Sequence, residues 1–204
     1  MNEFEKMSQG KLYDPNESAL AELRKHAHSL CYAYNKMDEN ECTSRTEIIQ
    51  ELLPHLGEGS FLQGPIFFDY GKNFKTGKNF YCNFNFTCLD VCPVIVGDNV
   101  FCGPNVSIEP PLHPLLPEER NPYMTPHGMT DQEYGAPIKI GNNCWIASNV
   151  TICAGAEIGD GCVIGAGSVV TGKIPDGYLA YGIPCRPIRK ITEKDSVKLK
   201  KELY

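Results

Sequence analysis

Positive charge is scarce in this sequence. Nineteen Lys and Arg stand against twenty-five Asp and Glu, a formal charge of −6 over 204 residues. That balance argues against a nucleic-acid partner, which needs a basic surface. Long apolar runs are also lacking. None approaches the roughly 20 residues of a membrane-crossing helix, so no membrane partner is expected. The opening MNEFEKMSQGK is polar and acidic; it does not read as a secretory signal, and a cytoplasmic location is the expectation. Neither a G-x-S-x-G elbow nor a P-loop occurs, so serine hydrolysis and P-loop phosphoryl transfer have no support.

Cysteine, by contrast, is abundant, with ten residues. Cys82, Cys88, Cys102, Cys144 and Cys162 fall on a six-residue rhythm where small core residues belong, which favours buried reduced thiols over a disulfide scaffold. Cys88 and Cys92 form half of a zinc spacing, and no second pair follows, so no metal is expected.

That rhythm is the main feature of the chain. From Ile140 to Val170 an aliphatic residue returns every sixth position: Ile140, Ile146, Ile152, Ile158, Ile164, Val170. Neither a helix nor an isolated strand has that period. A short strand plus a tight turn fills six residues, and three such units close a triangular coil. Coils then stack by parallel pairing about 4.8 Å apart. The predicted fold is mainly β, a hexapeptide parallel β-helix with a column of Ile and Val inside; chance spacing in a β-sandwich is the alternative. Looser repeats (Thr76, Cys82, Cys88, then Val96, Cys102, Ile108) extend the coils toward the N-terminus.

Residues 1–56 are expected to be helical. NESALAELRKHAHSLCYAYNKM puts Leu20, Leu23, Ala27, Leu30 and Tyr34 on one stripe, with Asn16 or Asp14 as cap. TSRTEIIQELLPHL suggests a second helix, with Thr43 or Ser44 and Glu47 as a capping box and Pro54 as its end. The β-helix is assigned to 57–185, interrupted by a loop at 109–136. A tail follows at 186–204 and is expected to form a short helix.

A solenoid prism has flat faces, so function must come from what is added to it. The 109–136 loop carries six prolines and His113, with His127 as a rival. A stiff loop holding one imidazole suits a general base; the residues alone leave His113 open between that and an ordinary loop histidine. Lys173, Arg186, Arg189 and Lys190 gather after the last coil, either as a phosphate cradle or as a solvated tail. Prisms of this shape also suit a cyclic trimer with clefts between subunits.

EKMSQGKLYDPNE, FDYGKNFKTGKNFYCNFNFTCLDVCPVIVGDNVFCGPNV, HPLLPEERN, EYGAPIKIGNNCWIAS and GAGSVVTGKIPDGYLAYGIPCRPIRKI occur in that order. Together they resemble the maltose/galactoside O-acetyltransferase group of the hexapeptide-repeat acyltransferases, over nearly the whole chain. The resemblance implies a left-handed parallel β-helix, a homotrimer with sites between subunits, and direct acetyl transfer from acetyl-CoA to a sugar hydroxyl. It assigns the general base to His113 and acceptor contacts to Asp14, Asp69, Tyr81, Asn83 and Asp90. Coenzyme contacts fall on Asn83, Ser148, Ala166, Thr171, Gly172, Lys173, Arg186 and Arg189, with Ser148 beside the thioester. Two features depart from the group. PYMTPHGMTDQ lengthens the loop near the acceptor side, and Thr171-Gly172-Lys173 replaces a Thr-Lys pair. Asp69 and HPLLPEERN lean toward maltose-type members. The competing readings are acetyl transfer to a xenobiotic or lipid-linked acceptor, a non-catalytic scaffold, and a zinc carbonic anhydrase. The last needs three coil histidines that the sequence lacks.

Overall fold

The computed structural model describes residues 1–125 and 128–203. Its body is a three-sided parallel β-helix. Face one holds Phe61–Leu62, Tyr81–Cys82, Phe101–Cys102, Trp145–Ile146, Val163–Ile164 and Tyr178–Gly182. Face two holds Ile66–Phe68, Phe86–Cys88, Ser107–Glu109, Thr151–Cys153 and Val169–Val170. Face three holds Phe74–Thr76, Val94–Val96, Ile138–Ile140, Glu157–Ile158 and Lys173–Ile174. Along face one, register partners are Tyr81 and Phe101, then Trp145, Val163 and Leu179. The coil length therefore varies along the column even though the pairing does not.

The variation is confined to one edge. From face three to face one, and from face one to face two, every level turns alike. Asn79, Asn99 and Asn143 stack on one of these edges, and Asn85, Asn105 and Asn149 on the other. All six have φ between 54° and 60°. This left-handed region disfavours most L-residues, but Asn tolerates it. Each Asn amide donates to the next carboxamide at 2.9–3.1 Å. Gly161 and Gly167 take over the same positive φ one coil later. The edge from face two to face three is irregular and carries the whole 109–136 loop.

Inside, Phe68, Phe74, Phe80 and Phe86 fill the first coils, with ring centroids 5.2–6.0 Å apart. Higher coils are filled by the expected Ile and Val, all buried. The rhythm cysteines point inward among them. Burial pushes the Cys82 and Cys88 thiols well up and Cys102 to about 12, so these act as small apolar fillers.

Helix α1 spans Glu3–Ser8, α2 Ser18–Lys36 and α3 Cys42–Leu52. α1 lies within the segment expected to be helical, though it was not singled out there; Asn2 and Glu5 close a capping box on it. The expected stripe on α2 is observed: Leu20, Ala27 and Tyr34 are buried, joined by Cys31. Its cap differs from expectation. Glu17 accepts from the amides of Ala19 and Leu20 at 3.1 and 3.2 Å, because Asp14 is held in a turn with Asn16. α3 begins at Cys42, one residue before the expected cap, and has no side-chain cap. Its Arg45 is buried and donates to the Tyr34 hydroxyl at 2.7 Å and to the Leu62 carbonyl at 3.1 Å, fastening both helices to the first coil.

The C-terminal segment also departs from expectation. Cys185–Lys190 folds back as a strand, antiparallel to Tyr178–Gly182. The expected helix is instead three short 3₁₀ turns at Glu193–Asp195, Val197–Leu199 and Lys201–Leu203. Among the described residues no helix is long and apolar enough to cross a membrane.

Candidate functional site

The inserted loop leaves and re-enters the prism through a narrow neck, where Pro111–Leu112 pairs antiparallel with Tyr134–Gly135. His113 stands immediately beyond the neck, half-exposed, and the next residue, Pro114, is buried. Arg120, ending the short helix Pro117–Arg120, donates to the carbonyls of Pro114 and Leu115 at 3.5 and 3.3 Å. A hairpin of Tyr123–Thr125 and Gly128–Thr130 follows. His127 lies outside the described residues.

Around His113 the loop meets the N-terminal segment. Tyr13 and Glu133 exchange both backbone hydrogen bonds, at 2.9 and 3.3 Å. The buried Tyr13 phenol donates to Glu133 Oε2 at 2.5 Å, and Glu133 Oε1 lies 3.8 Å from His113 Nε2. Burial, the Glu133 contact and its charge raise the Tyr13 pKa far above that of free tyrosine, so the phenol stays a donor. Asp14 accepts from the Thr130 hydroxyl, and Asn16 reaches Asp131 at 3.4 Å. Gly10 permits this docking: at φ +70° it faces the Gly135 carbonyl, which a Cβ would meet at 2.5 Å.

Asp69 lies on the same irregular edge, 3.3 Å from His28 and beside a hollow lined by Tyr32, Phe67 and Leu89. Asp90 is positioned differently from the other acceptor candidates. It is fully buried and accepts from the amides of Tyr70, Gly71 and Asn73 at 2.9–3.0 Å. Burial pushes its carboxyl up to about 6, with the three amides pulling the other way. Its oxygens hold the turn that carries Asp69 and do not face a cleft.

Tyr81, Asn83, Ser148 and Ala166 lie elsewhere, on face one and on the regular edge next to it. Tyr81 stacks on Phe61 at 6.2 Å. Asn83 is followed up the column by Gly103, Ala147 and Gly165. Gly103 keeps this strip flat: a Cβ there would meet the Ser148 amide at 2.8 Å. The coenzyme candidates divide between edges. Thr171, Gly172 and Lys173 top the irregular one, where Lys173 pairs with Glu157 at 2.9 Å. Arg186 and Arg189 are exposed on the returning C-terminal strand of face one. Arg189 is bidentate to Asp195 at 2.6 and 2.8 Å, which holds the Asp195 carboxyl down at about 2.

One chain thus brings His113, Asp14 and Asp69 to one edge and leaves Asn83 and Ser148 on another. Sequence reasoning missed Tyr13 and Glu133. The only trace was a carboxylate at the loop's re-entry, twenty residues after His113. Atoms of His113, Asp131 and Glu133 able to bind a metal lie within 4.8 Å of one another.

Comparison with known proteins agrees with this architecture. Residues 6–57 match the maltose acetyltransferase hexapeptide capping motif, and residues 137–172 match the bacterial transferase hexapeptide model of six repeats. The chain is 40% identical to galactoside O-acetyltransferase of Escherichia coli K12 over 191 residues, covering 94% of this chain and 90% of that protein. A maltose O-acetyltransferase from Clostridium difficile 630 superposes with a TM-score of 0.87 at 42% identity, covering 95% of this chain and 99% of that one. A galactoside acetyltransferase solved with coenzyme A gives 0.86 at 40% identity, covering 96% and 94%. The chain therefore belongs to the hexapeptide-repeat acetyltransferase family that contains the maltose and galactoside O-acetyltransferases.

Proposed function

We propose that this chain is an acetyl-CoA-dependent O-acetyltransferase acting on a sugar hydroxyl, with His113 as general base and the site completed between two copies in a homotrimer. The observation that carries the reading is the position of His113. It lies at the neck of the inserted loop, facing Glu133, on the edge that also carries Asp69 and docks the Asp14 segment, in a chain matching a coenzyme A-bound galactoside acetyltransferase over 96% of its length. Carboxylates suit a sugar because they pair its hydroxyls.

In this mechanism the acceptor hydroxyl gives its proton to a ring nitrogen of His113 as its oxygen attacks the thioester carbonyl. The Ser148 hydroxyl donates to the developing oxyanion. The carbon–sulfur bond then breaks, and the leaving thiolate takes the proton back from the imidazolium. No covalent enzyme intermediate forms, and juxtaposing the two substrates supplies much of the rate.

Because Ser148 and Asn83 occupy a different edge from His113, this reading has one prism's irregular edge meet a neighbour's regular edge. Such a contact between unlike surfaces gives a ring when its rotation closes, and the proposed ring has three members. The exposed aromatic stripe of Phe61, Phe101 and Trp145 on face one fits burial there. Arg186 and Arg189 then receive the coenzyme phosphates, with Arg189 exchanging Asp195 for phosphate.

The test is thiol release from acetyl-CoA with a panel of hexoses, disaccharides and simple alcohols. Sugar-dependent release is expected; its absence from every sugar would refute the reading. Co-expressing His113→Ala with Asn83→Ala should restore part of the activity each lacks alone, since some clefts would draw both native residues. No recovery would place the site within one chain. Arg186→Ala should raise the KM for acetyl-CoA and leave the sugar KM alone.

A further inference from the structure

The N-terminal segment docks on the described part of the inserted loop at Glu133, the carboxylate that faces the imidazole. The Tyr13–Glu133 backbone bridge fixes where Glu133 sits. The Tyr13 phenol occupies Oε2, which leaves Oε1 toward His113. Glu133 is mostly buried, while His113 is nearly half exposed. A carboxylate restrained at both backbone and side chain, with one oxygen committed and the other facing an imidazole, has the layout of a group that orients a base. The 3.8 Å gap is an ion-pair distance, longer than a hydrogen bond. The interaction therefore strengthens when the ring becomes charged, as it does once it has taken the acceptor proton.

We infer that Glu133, anchored by Tyr13, is the positioning residue for His113. It turns one ring nitrogen toward itself, leaves the other for the acceptor hydroxyl, and holds the imidazolium until the proton passes to the departing thiolate. Tyr13 acts one step further back, by restraining Glu133. Asp131 is the other carboxylate at this cluster. It accepts from the Asn16 amide at 3.4 Å, and the adjacent Thr130 hydroxyl donates to Asp14. The first sixteen residues thereby become part of the catalytic apparatus although they are remote in sequence from the base.

This inference rests on the reading of His113 as the base, and the experiment separates the two. Glu133→Gln and Tyr13→Phe are close in shape to the native residues. Glu133→Gln should lower kcat roughly 10- to 100-fold and Tyr13→Phe roughly 3- to 10-fold. Both should leave the KM for sugar and acetyl-CoA within about twofold, and the Tm should hold. Groups acting in series are non-additive, so His113→Ala combined with Glu133→Gln should be no slower than His113→Ala alone. A raised sugar KM with native kcat would make Glu133 an acceptor ligand and overturn the inference. So would a double variant slower than either single one. If His113→Ala is inactive while Glu133→Gln turns over normally, only the positioning role fails. If His113→Ala retains native turnover, the base assignment fails and the positioning role falls with it.

Discussion

Two edges of the prism turn in the same way at every level, whereas the third keeps one length over the first two coils and then changes at each level. On the regular edges the chain repeats one solution, an Asn at positive φ whose carboxamide bonds to the coil above. On the irregular edge it passes through the Asp90-bound turn at 69–73, the buried Val91–Cys92 step, the 109–136 insertion and finally Thr171-Gly172. The pairing of the faces survives all of this, because every change in coil length is absorbed at that one edge. Repetition supplies a rigid column, and the irregular edge can vary without disturbing it. The candidate base lies on the varying edge, and the flat strip of Asn83, Gly103, Ala147 and Gly165 lies on a constant one.

The comparison breaks most sharply through His113. Its replacement by Ala should cut turnover by roughly 10²–10⁴-fold with little change in melting, because its ring is nearly half exposed. A stability loss of several kcal/mol would show that this edge also carries the fold. Ile152→Ala, in the column between Ile108 and Val170, should do the converse, costing about 2–5 kcal/mol in denaturant unfolding. The KM values of the remaining folded enzyme should match the native ones. Asn105→Ala should cost about 1–2 kcal/mol by removing the carboxamide that eases positive φ and breaking two ladder bonds. Asn105→Gly should cost less, since it keeps the backbone and loses only the bonds.

A smaller effect sharpens the contrast from the irregular side. The Asp90 carboxyl sits at about 6 in the fold, against an ordinary value of about 3.9. Between those values the folded chain holds a proton that the unfolded chain has released. The share of stability due to Asp90 therefore falls as pH rises across that window. Asp90→Asn should flatten that part of the Tm-against-pH curve; an unaltered slope would assign it to other groups.

The same contrast explains what the sequence made legible. Ile140 through Val170 announce their own register, because a six-residue period has one simple structural meaning, and the stripe of α2 is equally plain. The Glu17 cap was hidden because Asp14, a better capping residue, is drawn away by Thr130. The C-terminal strand was hidden because Arg186, Ile188 and Arg189 follow neither period. His113 stood out by its prolines and by family resemblance. Glu133 and Tyr13 lie 120 residues apart and meet only through the docking of the N-terminal segment. No local pattern encodes that meeting. Asp90 is a further lesson: an aspartate near a presumed cleft looks like a ligand until its oxygens are found to be occupied by three amides.

The returning strand Cys185–Lys190 has a consequence for assembly. A stack of parallel rungs ends in unsatisfied main-chain groups, which invite another molecule to continue the stack indefinitely. By reversing direction against Tyr178–Gly182, the chain closes the end of face one with its own residues in the wrong polarity for further parallel growth. Growth along the axis by parallel pairing is thereby blocked on that face.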